Sequence, residues 1–308
     1  MRNRFLIGQY GCFDESKMQR DFRKGFFGIE ACLFETEEDR HRLILASQRN
    51  HFQVGIHFPL RPHVSKMRDA LFLANSPEMR ESSYAWVQSE LEYLASMNPT
   101  YILFHYPKPV VLDDRVDWRT WRFSDKSEYM SETEMTLTEL IERTEVLFQW
   151  LTMKSETYGF IPVLEFDALN RYIYETDFLE ELLGKYPHIK VCLDTARLYL
   201  QEKLDPYFDA RKVIHKFARF AYSIHLSTVQ IKDSTTNSRH PVLPELDQRD
   251  GWAPIEDYLA IITEQNDQVM IMFEHRSDLI SEDQLNQCYD WVTHLLNNGK
   301  LMRSNHSY

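Results

Sequence analysis

Short apolar runs alternate with amphipathic stretches from one end of the chain to the other. The runs fall at Arg4–Gly8, Gly28–Phe34, Phe52–Phe58, Tyr101–Tyr106, Phe160–Phe166, Lys190–Asp194, Phe220–Leu226 and Val269–Glu274. Runs this apolar fit strands buried on both faces of a parallel sheet. The stretches between them carry helix signals. In Pro77–Met97, Ser76 is placed to cap, Pro77 suits the first turn, and Trp86, Leu91 and Leu94 supply an apolar stripe. A second helix starts at Thr136, whose hydroxyl can close a capping box with Glu139, and runs through Leu140, Val146, Leu147 and Trp150. Ser281 with Gln284 opens the last helix in the same way. Eight strands, each followed by a helix or helical turn, predict an α/β fold, a single closed (β/α)8 TIM barrel. An open doubly wound sheet is the alternative, but no Gly-rich turn follows the first strand and the chain has only 9 glycines. No repeat or low-complexity linker interrupts the pattern, so one domain over 1–308 is expected.

Four of the runs end on a side chain that a buried strand tolerates poorly. Glu165 closes FIPVLEFD, Asp194 closes IKVCLDT, His225 closes FAYSIHLS and Glu274 closes VMIMFEHR. A carboxylate or imidazole in such a place is destabilising unless a partner takes it up. Each has an ordinary explanation. Glu165 or Glu274 can pair with an Arg, Asp194 can cap the next helix, and His225 can be satisfied in the core. Together they sit at the ends of strands five to eight, which a closed barrel brings to one point. Three oxygen donors and one imidazole suit Mn²⁺, Mg²⁺, Co²⁺ or Zn²⁺. His57 in VGIHFPL and His105 in ILFHYPKP close the third and fourth strands in the same manner.

Two connections are longer than usual, from about 107 to 131 and from about 228 to 253. The first carries Asp113, Asp114, Arg115, Trp118, Arg119, Trp121 and Arg122, and the second Lys232, Ser238, Arg239, His240, Arg249 and Trp252. Both follow a strand directly, which puts them on the carboxyl-end face, either as lids over a polar ligand or as ordinary surface excursions. Composition narrows the partners. A formal charge of −12 disfavours a polyanion, so no nucleic acid is expected, and no apolar run is long enough to cross a bilayer. The opening MRNRFLIGQYG reads as a first strand rather than a signal peptide. Cys12, Cys32, Cys192 and Cys288 share no CxxC spacing and are expected as reduced, packed thiols of a cytoplasmic protein.

The segments LEFD, CLDTAR, IHLS and FEHR, in this order and spacing, resemble the xylose isomerase-like barrels. That superfamily includes sugar phosphate isomerases and epimerases, inosose dehydratases and endonuclease IV repair enzymes. The resemblance covers most of the chain and is most specific from Phe160 onward. It implies that Glu165, Asp194, His225 and Glu274 bind a catalytic divalent metal. It also implies that Glu165 and Glu274 move protons on opposite faces of a substrate. By the same resemblance His57 and His105, with Glu165, form a second metal site, or else contact sugar hydroxyls around a single ion. One or two ions are therefore implied. His240 falls where the family often places a loop histidine near substrate, and family members commonly form homo-oligomers.

The departures carry information too. Where the family's pattern has a histidine three residues after the Asp, this chain has Arg197. Arginine cannot ligate a metal but offers a fork for a phosphate or carboxylate on substrate, or a salt bridge to a nearby acid. Ser238 stands where the endonuclease pattern wants an Asp, so a three-zinc phosphodiesterase is disfavoured. Asp167 stands where xylose isomerase proper has a lysine, which disfavours hydride-shift chemistry. The expectation is a metal-dependent isomerase or epimerase of a small polar substrate, a sugar or sugar phosphate, with proton transfer α to a carbonyl. An inosose-type dehydratase and a non-catalytic metal-binding barrel are the alternatives.

Overall fold

The structure is a computed structural model that describes residues 2–232 and 235–304, with backbone only at 235 and 298–304. Residues 233 and 234 of the second long connection lie outside the described residues. Eight parallel strands occur where the apolar runs predict them: β1 (Phe5–Tyr10), β2 (Gly28–Cys32), β3 (Gln53–His57), β4 (Tyr101–Tyr106), β5 (Ile161–Phe166), β6 (Lys190–Asp194), β7 (Ala221–Leu226) and β8 (Met270–Phe273). Their order is β1–β8–β7–β6–β5–β4–β3–β2, and it closes on itself, so the sheet is the expected (β/α)8 barrel. The helices are α1 (Glu15–Asp21), α2 (Glu37–Asn50), α3 (Pro77–Leu94), α4 (Leu137–Tyr158), α5 (Arg171–Tyr174), α6 (Phe178–Lys185), α7 (Thr195–Leu204), α8 (Ala210–Phe217), α9 (Ile255–Gln265) and α10 (Glu282–Ser304). Among the described residues no helix is long and apolar enough to cross a membrane.

By density of contacts the chain falls into two compact units. One comprises Met1–Gly8, Asp14–Gly28 and Cys192–Tyr308; the other comprises Gln9–Phe13 and Ile29–Val191. In the first, Phe5, Phe26, Phe273 and Tyr289 interlock edge to face, with ring centroids 4.8–5.5 Å apart. In the second, Phe58, Phe72, Phe104, Trp86 and Trp150 form a comparable aromatic cluster. Such pairs add to the burial energy because ring edge and ring face carry opposite partial charge.

The helix starts follow their local chemistry. Ser76 Oγ accepts from Met79 N at 3.2 Å with Pro77 in the first turn, and Thr136 and Glu139 form the full capping box. Ser281 and Gln284 repeat the reciprocal pattern at α10. Two burial details bear on the apolar pattern. Val146 is 54% exposed, because the buried stripe of α4 runs through Leu140, Thr144, Leu147, Phe148 and Leu151, and residue 146 sits about 100° off it. None of the four cysteines is in a disulfide, but Cys12 is exposed rather than packed, since it lies in the turn just past β1.

The long connections are built rather than slack. Within 107–131, Val110–Leu112 pairs in parallel with Tyr129–Ser131, and Trp118 packs edge to face on the buried Trp121 at 5.9 Å. Within 228–253, Thr228–Ile231 pairs antiparallel with Thr235–His240, and the buried Trp252 lies under His240. The tryptophans thus serve as internal packing of their own connections. A third long connection, 58–76, follows β3 and has no counterpart in the sequence reading.

Candidate metal centre

In the unit containing 29–191, strand register sets the first contact. His105 of β4 and Glu165 of β5 are paired residues of adjacent parallel strands, so their side chains project on the same face. His105 Nε2 lies 3.1 Å from Glu165 Oε2. His57, at the end of β3, brings its Nε2 to 3.2 Å from His105 Nε2 and 3.6 Å from the same Glu165 oxygen. The two rings meet edge to face at 86°. His57 is 9% exposed, His105 7% and Glu165 0%.

The spacing has a direct chemical reading. A tetrahedral ion about 2.0–2.1 Å from each nitrogen and oxygen holds its ligand atoms about 3.3 Å apart. The three separations here, 3.1, 3.2 and 3.6 Å, bracket that value. The residues present therefore fit a divalent metal.

Each imidazole also has its other nitrogen on a carboxylate. His105 Nδ1 lies 2.7 Å from Asp69 Oδ1, and His57 Nδ1 lies 3.5 Å from Glu30 Oε1. With an ion bound, the Asp69 contact would keep the proton on His105 Nδ1 and leave its Nε2 lone pair to the ion. The supports extend one layer further. Tyr101 donates its hydroxyl to Glu30 Oε2 at 2.6 Å, and Lys108 Nζ lies 3.0 Å from Asp69 Oδ2. Tyr101 reaches Glu30 across Gly55 of β3, where a Cβ would lie 2.2 Å from the phenol ring, so glycine is required there by space. Lys108 also approaches Asp167 Oδ2 at 2.8 Å and Glu128 Oε2 at 3.5 Å.

Electrostatics follow from this packing. Burial opposes the charge on His105, but Asp69 and Glu165 outweigh it and push its pKa up to about 9. Burial likewise opposes ionisation of Asp69, yet His105 and Lys108 hold its carboxyl well below the usual carboxylate range. Lys108 is raised against burial by Asp167 and Asp69. Glu30, Asp69, Glu128, Glu165 and Asp167 are all buried around one lysine and two imidazoles.

In the unit containing 192–304, the expected residues gather differently. Asp194 caps α7, its Oδ1 accepting from Ala196 N at 2.9 Å and Arg197 N at 3.0 Å. Its Oδ2 stands 3.7 Å from Arg197 Nε, which is the salt-bridge arrangement open in the sequence. His225 is paired with Met272 across β7 and β8, and the next pair is Leu226 with Phe273. Glu274 continues that line, donating its backbone N–H to Leu226 O at 3.1 Å. Its Oε2 lies 3.3 Å from His225 Nδ1 and its Oε1 3.3 Å from Arg239. His240 donates from Nδ1 to Pro241 O at 2.8 Å, its ring 5.0 Å from that of Trp252. Thr195 staples the end of β6 to the residue after β7 by donating to Ser227 O at 2.6 Å.

Sequence reading missed Glu30, Tyr101, Asp69, Lys108 and His275. Glu30 had a usable signal, since it interrupts the apolar strand GIEAC just as Glu165 interrupts its own. Asp69 and Lys108 had none, being polar residues in loops. His275 follows Glu274; burial, with Lys17 adding, pushes its pKa down to about 3, and neither ring nitrogen has a hydrogen-bond partner among the described residues.

No protein-family model matches the chain, and no curated protein does. Solved structures do match in fold. A D-tagatose 3-epimerase-like protein superposes with TM-score 0.62 at 11% identity, covering 95% of this chain and 98% of its own. A protein of Thermus thermophilus, soaked with zinc chloride, gives 0.60 at 15%, covering 96% and 98%. A xylose isomerase domain-containing protein of Salmonella typhimurium gives 0.58 at 14%, again covering 96% and 98%. The chain shares the TIM-barrel fold of these structures.

Proposed function

We propose that this chain is a divalent-metal-dependent isomerase or epimerase of a sugar, sugar phosphate or related polyol, acting by proton transfer α to a carbonyl. One observation carries the reading: two imidazole Nε2 atoms and a Glu165 oxygen stand at metal-ligand spacing, 3.1–3.6 Å, with each imidazole braced by a carboxylate. Glu165, Asp194, His225 and Glu274 supply metal ligands in this reading. His57 and His105 either join Glu165 on a second ion or hold substrate hydroxyls. The fold supports the reading, since a D-tagatose 3-epimerase-like protein and a zinc-soaked protein share it. Four cysteines outside any disulfide fit a cytoplasmic location.

A divalent ion, when bound, would supply Lewis acidity that polarises a substrate carbonyl and acidifies the adjacent C–H. The chain's own residues supply the proton movements. Glu274, with its side chain 23% exposed, is open to an entering substrate, whereas Glu165 is fully buried. One glutamate removes the α-proton and the other returns one, giving epimerisation or isomerisation according to the carbon that receives it. Arg239 stands beside Glu274, 3.3 Å from its Oε1, and can orient that carboxylate. Arg197 and His240 are the proposed substrate contacts, and Arg197 must exchange its Asp194 contact for the substrate's anionic group.

The test is hydrogen exchange. The protein, loaded in turn with Mn²⁺, Mg²⁺, Co²⁺ and Zn²⁺ in D₂O, is offered ketoses, aldoses, inososes and their phosphates. Metal-dependent C–H exchange is expected with at least one. Glu165→Gln and Glu274→Gln should each lower it about a thousandfold. Full exchange in either variant, or no exchange with any substrate, removes the assignment. Loss of water from the product would indicate a dehydratase instead.

A further inference from the structure

We infer that Lys108 is a positioning residue for the His57–His105–Glu165 cluster and acts through Asp69; the inference rests on the metal-binding reading above. The carboxylates that the Lys108 ammonium meets lie outside the three ligands. Its ammonium is buried, 3% exposed, and faces Asp69 at 3.0 Å, Asp167 at 2.8 Å and Glu128 at 3.5 Å.

The contacts have a direction. Asp69 divides its two oxygens, giving Oδ1 to His105 Nδ1 at 2.7 Å and Oδ2 to Lys108 at 3.0 Å. A carboxylate held at one oxygen can swing about its last torsion; held at both, it fixes a plane. Lys108 therefore pins Asp69, and Asp69 pins the ring and tautomer of His105. The consequence is at the far nitrogen, where Nε2 is aimed at Glu165 Oε2, 3.1 Å away.

The same ammonium holds the other ligand strand. Asp167 lies two residues beyond Glu165, and Lys108 lies three residues beyond His105. One cation thus clamps the exits of β4 and β5, whose register already sets His105 opposite Glu165. Asp69 comes from the connection after β3 and Glu128 from the one after β4, so both long loops are tied to the same point. Fastening loops alone would need no carboxylate shared with a histidine. That sharing makes the prediction specific to the metal.

The experiment titrates Zn²⁺ and Co²⁺ into the full chain by calorimetry, following the visible absorption of bound Co²⁺. The proteins are wild type, Lys108→Met, Lys108→Arg, Asp69→Asn and the Lys108→Met/Asp69→Asn double variant. Lys108→Met and Asp69→Asn should each weaken binding about 10- to 100-fold and alter the Co²⁺ band. The double variant should be no weaker than the worse single, because both act through one contact. Lys108→Arg should recover most of the affinity. An unchanged Co²⁺ affinity and band in folded Lys108→Met, or losses that simply add, would overturn the inference. Should Lys108→Met fail to fold, Asp69→Asn decides: an unaltered affinity overturns it and a loss supports it. Wild type that binds neither ion refutes the metal-binding reading itself, whereas wild-type binding with indifferent variants refutes only the role of Lys108.

Discussion

The two histidine–carboxylate groups are made of the same residue types and are braced in opposite ways. In the unit holding 29–191, His57 and His105 are both buried, and each has a carboxylate on Nδ1 that is itself held by Tyr101 or Lys108. In the unit holding 192–304, Glu274 is part-exposed and leans on a half-exposed arginine, while Asp194 spends one oxygen on capping a helix. In the first, the imidazoles and the carboxylates that meet them are buried and cross-tied; in the second, Glu274 and Arg239 reach toward solvent. Pre-organised groups suit binding and adjustable ones suit proton transfer to a substrate that must enter and leave.

The contrast can be broken most forcefully at Gly55. Gly55→Ala drives a methyl into the Tyr101 ring, so the phenol must leave Glu30 and the brace on His57 is lost. A loss of about 3 kcal/mol is expected from overpacking in denaturant melts, with weaker metal binding. Stability unaltered by that change would show that the brace is dispensable.

pH should separate the two regions next. In metal-free protein, His105 at about 9 binds its proton more tightly than the unfolded chain does. Its contribution is complete below the unfolded value of 6.5 and is lost as pH rises through about 9. His275 at about 3 has the opposite sign; the unfolded chain takes up a proton near 6.5 that the folded chain refuses, so stability falls as pH drops from 6.5 toward 3. Thermal melts of metal-free protein should therefore peak near neutrality and decline on both sides. Asp69→Asn should flatten the alkaline side and His275→Phe the acid side. A melt insensitive to these changes would contradict the assignment.

A smaller effect tests the divided duty of Asp194. Asp194→Ala should cost about 1 kcal/mol from the lost cap, whereas Asp194→Asn keeps the cap and nearly all the stability. If Asp194 also ligates, Asn should still weaken metal binding in calorimetry; equal affinity would leave it a cap alone. The smallest effect is expected at Arg239, whose side chain is 54% exposed. Arg239→Ala should change stability by no more than about 0.5 kcal/mol and should act instead on the pH profile of exchange through Glu274.

Much of the scaffold was legible because its signals are local. The apolar runs marked all eight strands, and Ser76, Thr136 and Ser281 marked their helix starts from four-residue patterns. The strand-end residues stood out because a charge beside a buried run is conspicuous wherever it pairs. Which apolar residues of α4 are buried was not legible, because a helical stripe is decided by about 100° per residue, and Val146 falls off it. Asp69 and Lys108 were invisible for a different reason. Asp69 lies 36 residues from His105, Glu30 lies 71 from Tyr101, and nothing near either acid announces its partner.

By itself, then, the sequence determined the alternation of strand and helix, the barrel class, and the side chains placed at strand ends, all properties of periodicity and local hydrogen bonding. Tertiary structure decided which of those side chains stand within 3.6 Å of one another, which acid braces which imidazole, and that Asp194 begins by capping a helix. Those outcomes depend on register between distant strands and on the space left by Gly55, quantities that exist only once the chain has closed on itself.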